Sequence, residues 1–128
     1  GGGGGGDGGS DAEYIAINNC DPDTAEDLTD QGLARIEFGY NGAFYYDPAC
    51  IRVDPNTTVL FTSADNSNFS IHPLQAGEKG KMDPDSPIKF TNSIDESSVT
   101  FDMIVPGTYP YYCVAHQATM MGVVYVVE

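Results

Sequence analysis

The stretch from Gly107 to Gly122 carries the residues best suited to chemistry. A strand-like run ends in Cys113. A short loop then presents His116, and Met120 and Met121 stand just before a closing apolar run, Val123–Val127. A thiolate, imidazole nitrogen and a thioether make a soft set of metal donors. A trigonal site built on them needs a second imidazole. The chain has two histidines, and the other is His72, at the end of the strand-like run Phe69–His72, 41 positions before Cys113. Zinc accepts cysteine and histidine but gains little from a thioether, and its structural sites usually take four strong ligands. An ion that cycles between two oxidation states, copper, suits the mixed set better. Taken singly, each residue has an ordinary use: a lone cysteine is usually an inert buried thiol, and a methionine before an apolar strand is usually core. The conjunction carries the reading, because a motif gains weight from its structural context.

Positioning these donors is a task for short strands. Candidate strands are Tyr14–Asn18, Ala34–Phe38, Cys50–Val53, Thr58–Ser63, Phe69–His72, Ile88–Phe90, Ser98–Ile104, Gly107–Cys113 and Met121–Val127. Val53, Val59, Phe61, Val99 and Phe101 alternate with polar neighbours, as half-buried strands require. The breaks fall at Asp54-Pro55-Asn56, Ala76-Gly77, Asp83-Pro84-Asp85 and Pro106-Gly107, all rich in turn formers. Thr24–Asp30 is expected to form a short helix, with Thr24 as N-cap and Asp27 three residues on. No alternation of strand and helix appears, so the pattern points to an all-β sandwich or barrel.

Bulk properties set the limits. The chain has 128 residues and a hydrophobic fraction of 41%, enough for one domain with its own core. Its apolar runs fall far short of the roughly 20 residues of a membrane helix. Nineteen acidic residues face five basic ones, a formal charge of −14. Such a surface repels phosphate backbones and anionic headgroups, which argues against nucleic acid as a partner. Either adaptation to salt and solubility or steering toward a basic partner accounts for it. Residues 1–10 are nearly all glycine, a composition that does not order itself. Residues 1–11 are accordingly expected to be a tether, an added linker or the spacer of a lipid-anchored exported protein whose anchor lies upstream of Gly1. The folded domain is expected over residues 12–128.

The segment Tyr111–Val127 resembles the C-terminal copper loop of plastocyanin and pseudoazurin, with their Tyr-Cys-x-Pro-His and Met-x-Gly pattern. The run from Phe44 to Phe61 is similar to the paired strands that precede the first histidine in that family. Together the resemblance covers about residues 40–128, and residues 11–39 match less well. It implies a cupredoxin, a Greek-key β-sandwich with one type 1 copper at one end, exported to the periplasm or outer surface. Carried onto this chain, the implied ligands are His72, Cys113, His116 and a methionine. The Met-x-Gly frame names Met120. Counting from His116 by the interval of plastocyanin names Met121 instead. If Met120 is the ligand, Val124 and Val126 face inward, and Met121 points outward to a rim near His116.

This chain departs from the family pattern at two further positions. Ala115 stands where plastocyanin has proline. Pro73 follows His72, where the relatives usually carry asparagine, whose N–H donates to the copper-bound sulfur; proline has no N–H. With Cys113 assigned to copper, Cys20 and Cys50 remain, and they are expected to form a disulfide in an oxidising compartment.

The resemblance further implies single-electron transfer, with the edge of His116 as the port, and a rim of Ala115, Ala118, Leu74 and the unbound methionine around it. Tyr112 is read as core. A redox protein with a basic surface, such as a c-type cytochrome, is the expected partner, and the chain is expected to be monomeric. A copper carrier or resistance protein of the same fold is the alternative. An enzyme is not expected: multicopper oxidases and nitrite reductases need further histidines, and a binuclear copper centre needs a second cysteine in the loop.

Overall fold

The computed structural model describes residues 12–39 and 43–128, so the tether expected over residues 1–11 lies outside the described residues. The strands are β1 Glu26–Asp27, β2 Leu33–Phe38, β3 Tyr46–Asp47, β4 Cys50–Val53, β5 Thr57–Ser63, β6 Leu74–Glu78, β7 Lys81–Met82, β8 Ser98–Met103, β9 Gly107–Cys113 and β10 Met121–Val126. They form two sheets, in the orders β1-β4-β10-β9-β6-β7 and β3-β2-β5-β8. Parallel pairs (β2 with β5, β4 with β10) join strands distant in sequence, while β9 and β10 pair antiparallel across the short loop between them. The expected all-β sandwich is therefore the fold.

Period-two patterning explains which strands form. In β5, Thr57, Val59 and Phe61 point inward and are buried, and Ile36 and Phe38 of β2 meet them in the core. From the other sheet come Ile51, Val53, Tyr111, Cys113, Val124 and Val126, so the inward facing of Val124 and Val126 is as expected. β10 differs from its neighbours in being buried along its whole length. Its outer face, Val123 and Tyr125, is covered by the N-terminal segment together with Cys20 and Ala25.

That segment is clamped at several points. Ile17 and Cys20 exchange two backbone hydrogen bonds around Asn18 and Asn19, both at positive φ (51° and 62°). This is the backbone of a tight hairpin turn, which asparagine tolerates. The buried Asn18 amide donates to the carbonyls of Gly77, Tyr111 and Gly122, and its oxygen accepts from Lys79 N–H at 3.0 Å. Tyr125 donates its hydroxyl to Ile15 O at 2.7 Å. Cys20 and Cys50 form the expected disulfide, across a sequence separation of 30.

Five local expectations are overturned. Thr24–Asp30 is not a helix: the chain turns back on Asp21, whose carbonyl accepts from Thr24 and Ala25, and then pairs with β4 as the edge strand β1. Asp27 spends its carboxylate on Thr29, and Leu28 N–H goes to Arg52 O, so strand pairing outcompetes the local cap. Phe69–His72 and Ile88–Phe90 are buried-residue loops rather than strands, tied by the Asn68 turn and by the isolated Leu74–Thr91 bridge. Tyr14–Asn18 contributes one bridge residue, Ile17. Ala76-Gly77 is no break but lies inside β6, where Gly77 (φ 130°) lets β7 fold back closely; a Cβ there would strike the Lys81 carbonyl.

Register fixes the end of the sandwich that matters. Leu74, the first residue of β6, pairs with Cys113, the last of β9. Met121, the first of β10, pairs with Tyr112. The loop after Cys113 and the turn that carries His72 thus meet at one end.

Candidate metal centre

Cys113 is delivered by the end of β9, fully buried, with its N–H donated to Met120 O at 2.8 Å. The chain then makes one 3-10 turn, Val114–His116. Met120 N–H returns to His116 O at 2.9 Å, which closes the loop before β10. His72 arrives from the opposite side, 3% exposed, in a turn made by Asn68: its carbonyl accepts the N–H groups of Ile71 and His72, and its side-chain oxygen accepts that of Ser70. Pro73 O accepts Val114 N–H at 2.9 Å and joins the two halves.

These elements bring three of the four candidate donors together. Cys113 Sγ lies 3.6 Å from Nδ1 of His116 and 3.9 Å from Nδ1 of His72. The ligating atoms of all three lie within 4.8 Å of one another. Donors about 2.0–2.3 Å from a shared ion and splayed at trigonal angles stand about 3.7 Å apart, so the set fits a single metal. Met120 is fully buried in the same core cluster as Cys113. Met121 is 6% exposed and alternates along β10 with Val123 and Tyr125, away from that core. It therefore forms no part of an exposed rim, and neither does Leu74, which is fully buried. Ala115 and Ala118 are exposed, and Tyr112 is buried, as expected.

Electrostatics favour neutral donors until a cation arrives. Burial pushes the Cys113 thiol up, and the N–H groups of Ala115 and His116 face the sulfur and partly oppose that shift, without either closing a capping hydrogen bond. Burial also pulls His72 down, helped by neighbouring His116 and opposed by Asp65. A neutral His72 imidazole is a ready ligand, and metal binding would displace the Cys113 thiol proton.

Aromatic rings complete the site. Phe38 packs its edge on His72, with centroids 5.7 Å apart. Phe44 lies flat against His116, with centroids 3.9 Å apart and planes inclined by only 9°. Sequence reasoning assigned no role to Phe44, since an exposed aromatic outside a periodic run gives no signal of what it covers.

A soft, three-donor cluster at one end of a two-sheet sandwich defines a mononuclear metal-binding β protein. Residues 35–127 match the model of the copper binding proteins of the plastocyanin/azurin family, and the chain belongs to that family. Its cofactor is copper. Similar solved structures are a pseudoazurin from Sinorhizobium meliltoi (26% identity, 75% of this chain and 74% of that one, TM-score 0.54), plastocyanin from the fern Dryopteris crassirhizoma (26%, 73% and 99%, TM-score 0.54), and a purple cupredoxin from Nitrosopumilus maritimus (26%, 73% and 98%, TM-score 0.54). No curated protein matches the sequence. The disulfide links Cys20, outside the family match, to Cys50, inside it.

Proposed function

We propose that the chain is a single-electron carrier that holds one type 1 copper through His72, Cys113, His116 and Met120. The convergence of both imidazole Nδ1 atoms on the buried Cys113 sulfur carries the reading. Copper, when bound, would take up one electron from a donor and release it to an acceptor; the protein's part is to keep the donors still. Cys113 and His72 are held by the core and by backbone hydrogen bonds on both sides, so little rearrangement accompanies a change of charge. His116, on the most exposed element of the site, is the port. The burial of Met120 beside Cys113 supports it, rather than Met121, as the axial donor.

The Cys20–Cys50 disulfide supports a place outside the reducing cytosol, periplasmic or on the outer surface. A charge of −14 favours a basic redox protein as partner; transfer rates should then fall steeply as salt rises from low strength toward physiological, where the Debye length is only about 8 Å. One measurement tests the core of the proposal. Copper added to the metal-free protein should give an intense sulfur-to-copper band in the visible, as the colour of the purple relative suggests, and reversible voltammetry with slow metal loss. Absence of the band would overturn the ligand set. Rapid surrender of copper to an acceptor would favour a copper carrier instead.

A further inference from the structure

The donors are unequally anchored. Cys113 and Met120 are fully buried, and His72 is 3% exposed and braced by Phe38. His116 ends a turn, Val114–His116, in which no residue is buried. Among the described residues, the rings set against it are His72, 5.1 Å away, and Phe44, stacked face to face at 3.9 Å. Phe44 is itself 47% exposed, and its ring also lies 6.2 Å from that of His72. An aromatic side chain left half in water while lying parallel to an imidazole is placed for the imidazole, not for the core.

The need for such a brace follows from donor chemistry. Reduced copper favours soft sulfur over imidazole, so Cys113 and Met120 gain and the nitrogen donors lose when the site takes up an electron. Of the two nitrogens, that of His116 is the one the fold secures less. A carrier that keeps its geometry must therefore hold His116 by something other than the bond to the metal.

We propose that Phe44 is a positioning residue that clamps the His116 imidazole and keeps it in place when the site is reduced. The proposal rests on His116 being a ligand, as set out above. Stacking covers the ring face and fixes its plane, with Nδ1 turned toward Cys113 Sγ, while the far edge stays free to meet a partner.

Three variants of the copper-loaded protein test it: Phe44→Ala, Phe44→Leu and Phe44→Tyr. Each is reduced and challenged with a strong copper(I) chelator, and copper loss is followed in time. The Ala and Leu variants should lose copper roughly two- to tenfold faster, the worth of one aromatic pair. Their reduction potential should also rise, because the reduced state is freed from holding His116. The Tyr variant keeps the ring and should match wild type. Leu is the deciding case, since it keeps apolar volume without a ring. Wild-type loss rates and potential in the Leu variant would overturn the clamp. The visible band of the oxidised proteins, recorded alongside, separates the two claims: with the band intact and all rates equal, Phe44 has no such role while the ligand assignment stands.

Discussion

The N–H of Val114 donates to the carbonyl of Pro73 at 2.9 Å, so the residue after His72 meets the copper loop through an acceptor alone. Having no N–H, Pro73 gives the Cys113 sulfur nothing. The N–H groups that face the sulfur come instead from Ala115 and His116, in the loop beyond it. Hydrogen bonds to a copper-bound sulfur withdraw electron density and raise the potential. Pro73→Ala restores a donor without touching the carbonyl that binds Val114, and should raise the potential. Ala115→Pro removes an N–H that faces the sulfur without closing a hydrogen bond to it, and should lower the potential by less. Voltammetry on both variants decides, and a potential that moves the same way in both would show that these donors do not set it.

The disulfide gives the second expectation. It closes a loop with a sequence separation of 30, worth roughly 3–4 kcal/mol in the chain-entropy model. A Cys20→Ser, Cys50→Ser double variant should lose about that much stability in urea titration. Alkylation of the denatured, metal-free protein without reductant should label Cys113 alone. Labelling of all the cysteines would mean that the bridge does not form.

Much of this architecture was legible in the sequence, and the misses share a cause. Strands whose buried residues stand at every second position, such as Cys50–Val53 and Thr57–Ser63, are found because alternation encodes which face is buried. Phe69 and Ile88 are almost fully buried yet stand in loops, and burial without pairing looks the same in a short apolar run. At Thr24–Asp30 the sequence shows only the local cap, whereas a distant partner, Arg52, decides the backbone. The donors were legible because cysteine, histidine and methionine combine so rarely at this spacing. Phe44 and Asn18 were not: each acts through a neighbour remote in sequence, His116 for one and Tyr111 and Gly122 for the other.

Alkali should loosen the N-terminal clamp. Burial, with a contribution from Asp21, pushes Tyr125 up to about 12, and burial holds Tyr46 and Tyr111 well above the usual phenol value. A folded pKa above the unfolded one means that the contribution is complete below pH 10. It is lost as pH rises from about 10 toward 12, where the unfolded chain gives up its phenol protons first. Denaturation midpoints of the metal-free protein should therefore begin to fall gently from about pH 8.5, where the unfolded Cys113 thiol ionises first, and more steeply above about pH 10. Tyr125→Phe should lower stability at neutral pH, through loss of the bond to Ile15 O, and make the alkaline fall shallower. An equally steep fall in that variant would assign the alkaline transition to other groups.

The axial donor is the sharpest test of register. In β10 the odd positions Val123 and Tyr125 pack under the N-terminal segment, while Val124 and Val126 enter the main core. Met121 follows the odd series and pairs with Tyr112. Met120 precedes the strand, fully buried in the core that holds Cys113, with its N–H and C=O both committed to the loop, on His116 O and Cys113 N–H. Two main-chain bonds to the residues on either side of the loop leave its thioether little freedom to exchange places with its neighbour. Met120→Leu keeps the apolar volume and should cost less than about 1.5 kcal/mol of metal-free stability, but it removes the weak sulfur donor that tunes the potential. Its potential and visible spectrum should therefore change, while Met121→Leu should leave both near wild type and show only a small loss of stability. Spectra and voltammograms of the two copper-loaded variants, with urea titrations of the metal-free forms, separate packing from ligation. A spectral change confined to Met121→Leu would move the donor into the strand and require the first residues of β10 to leave their pairing with Tyr112.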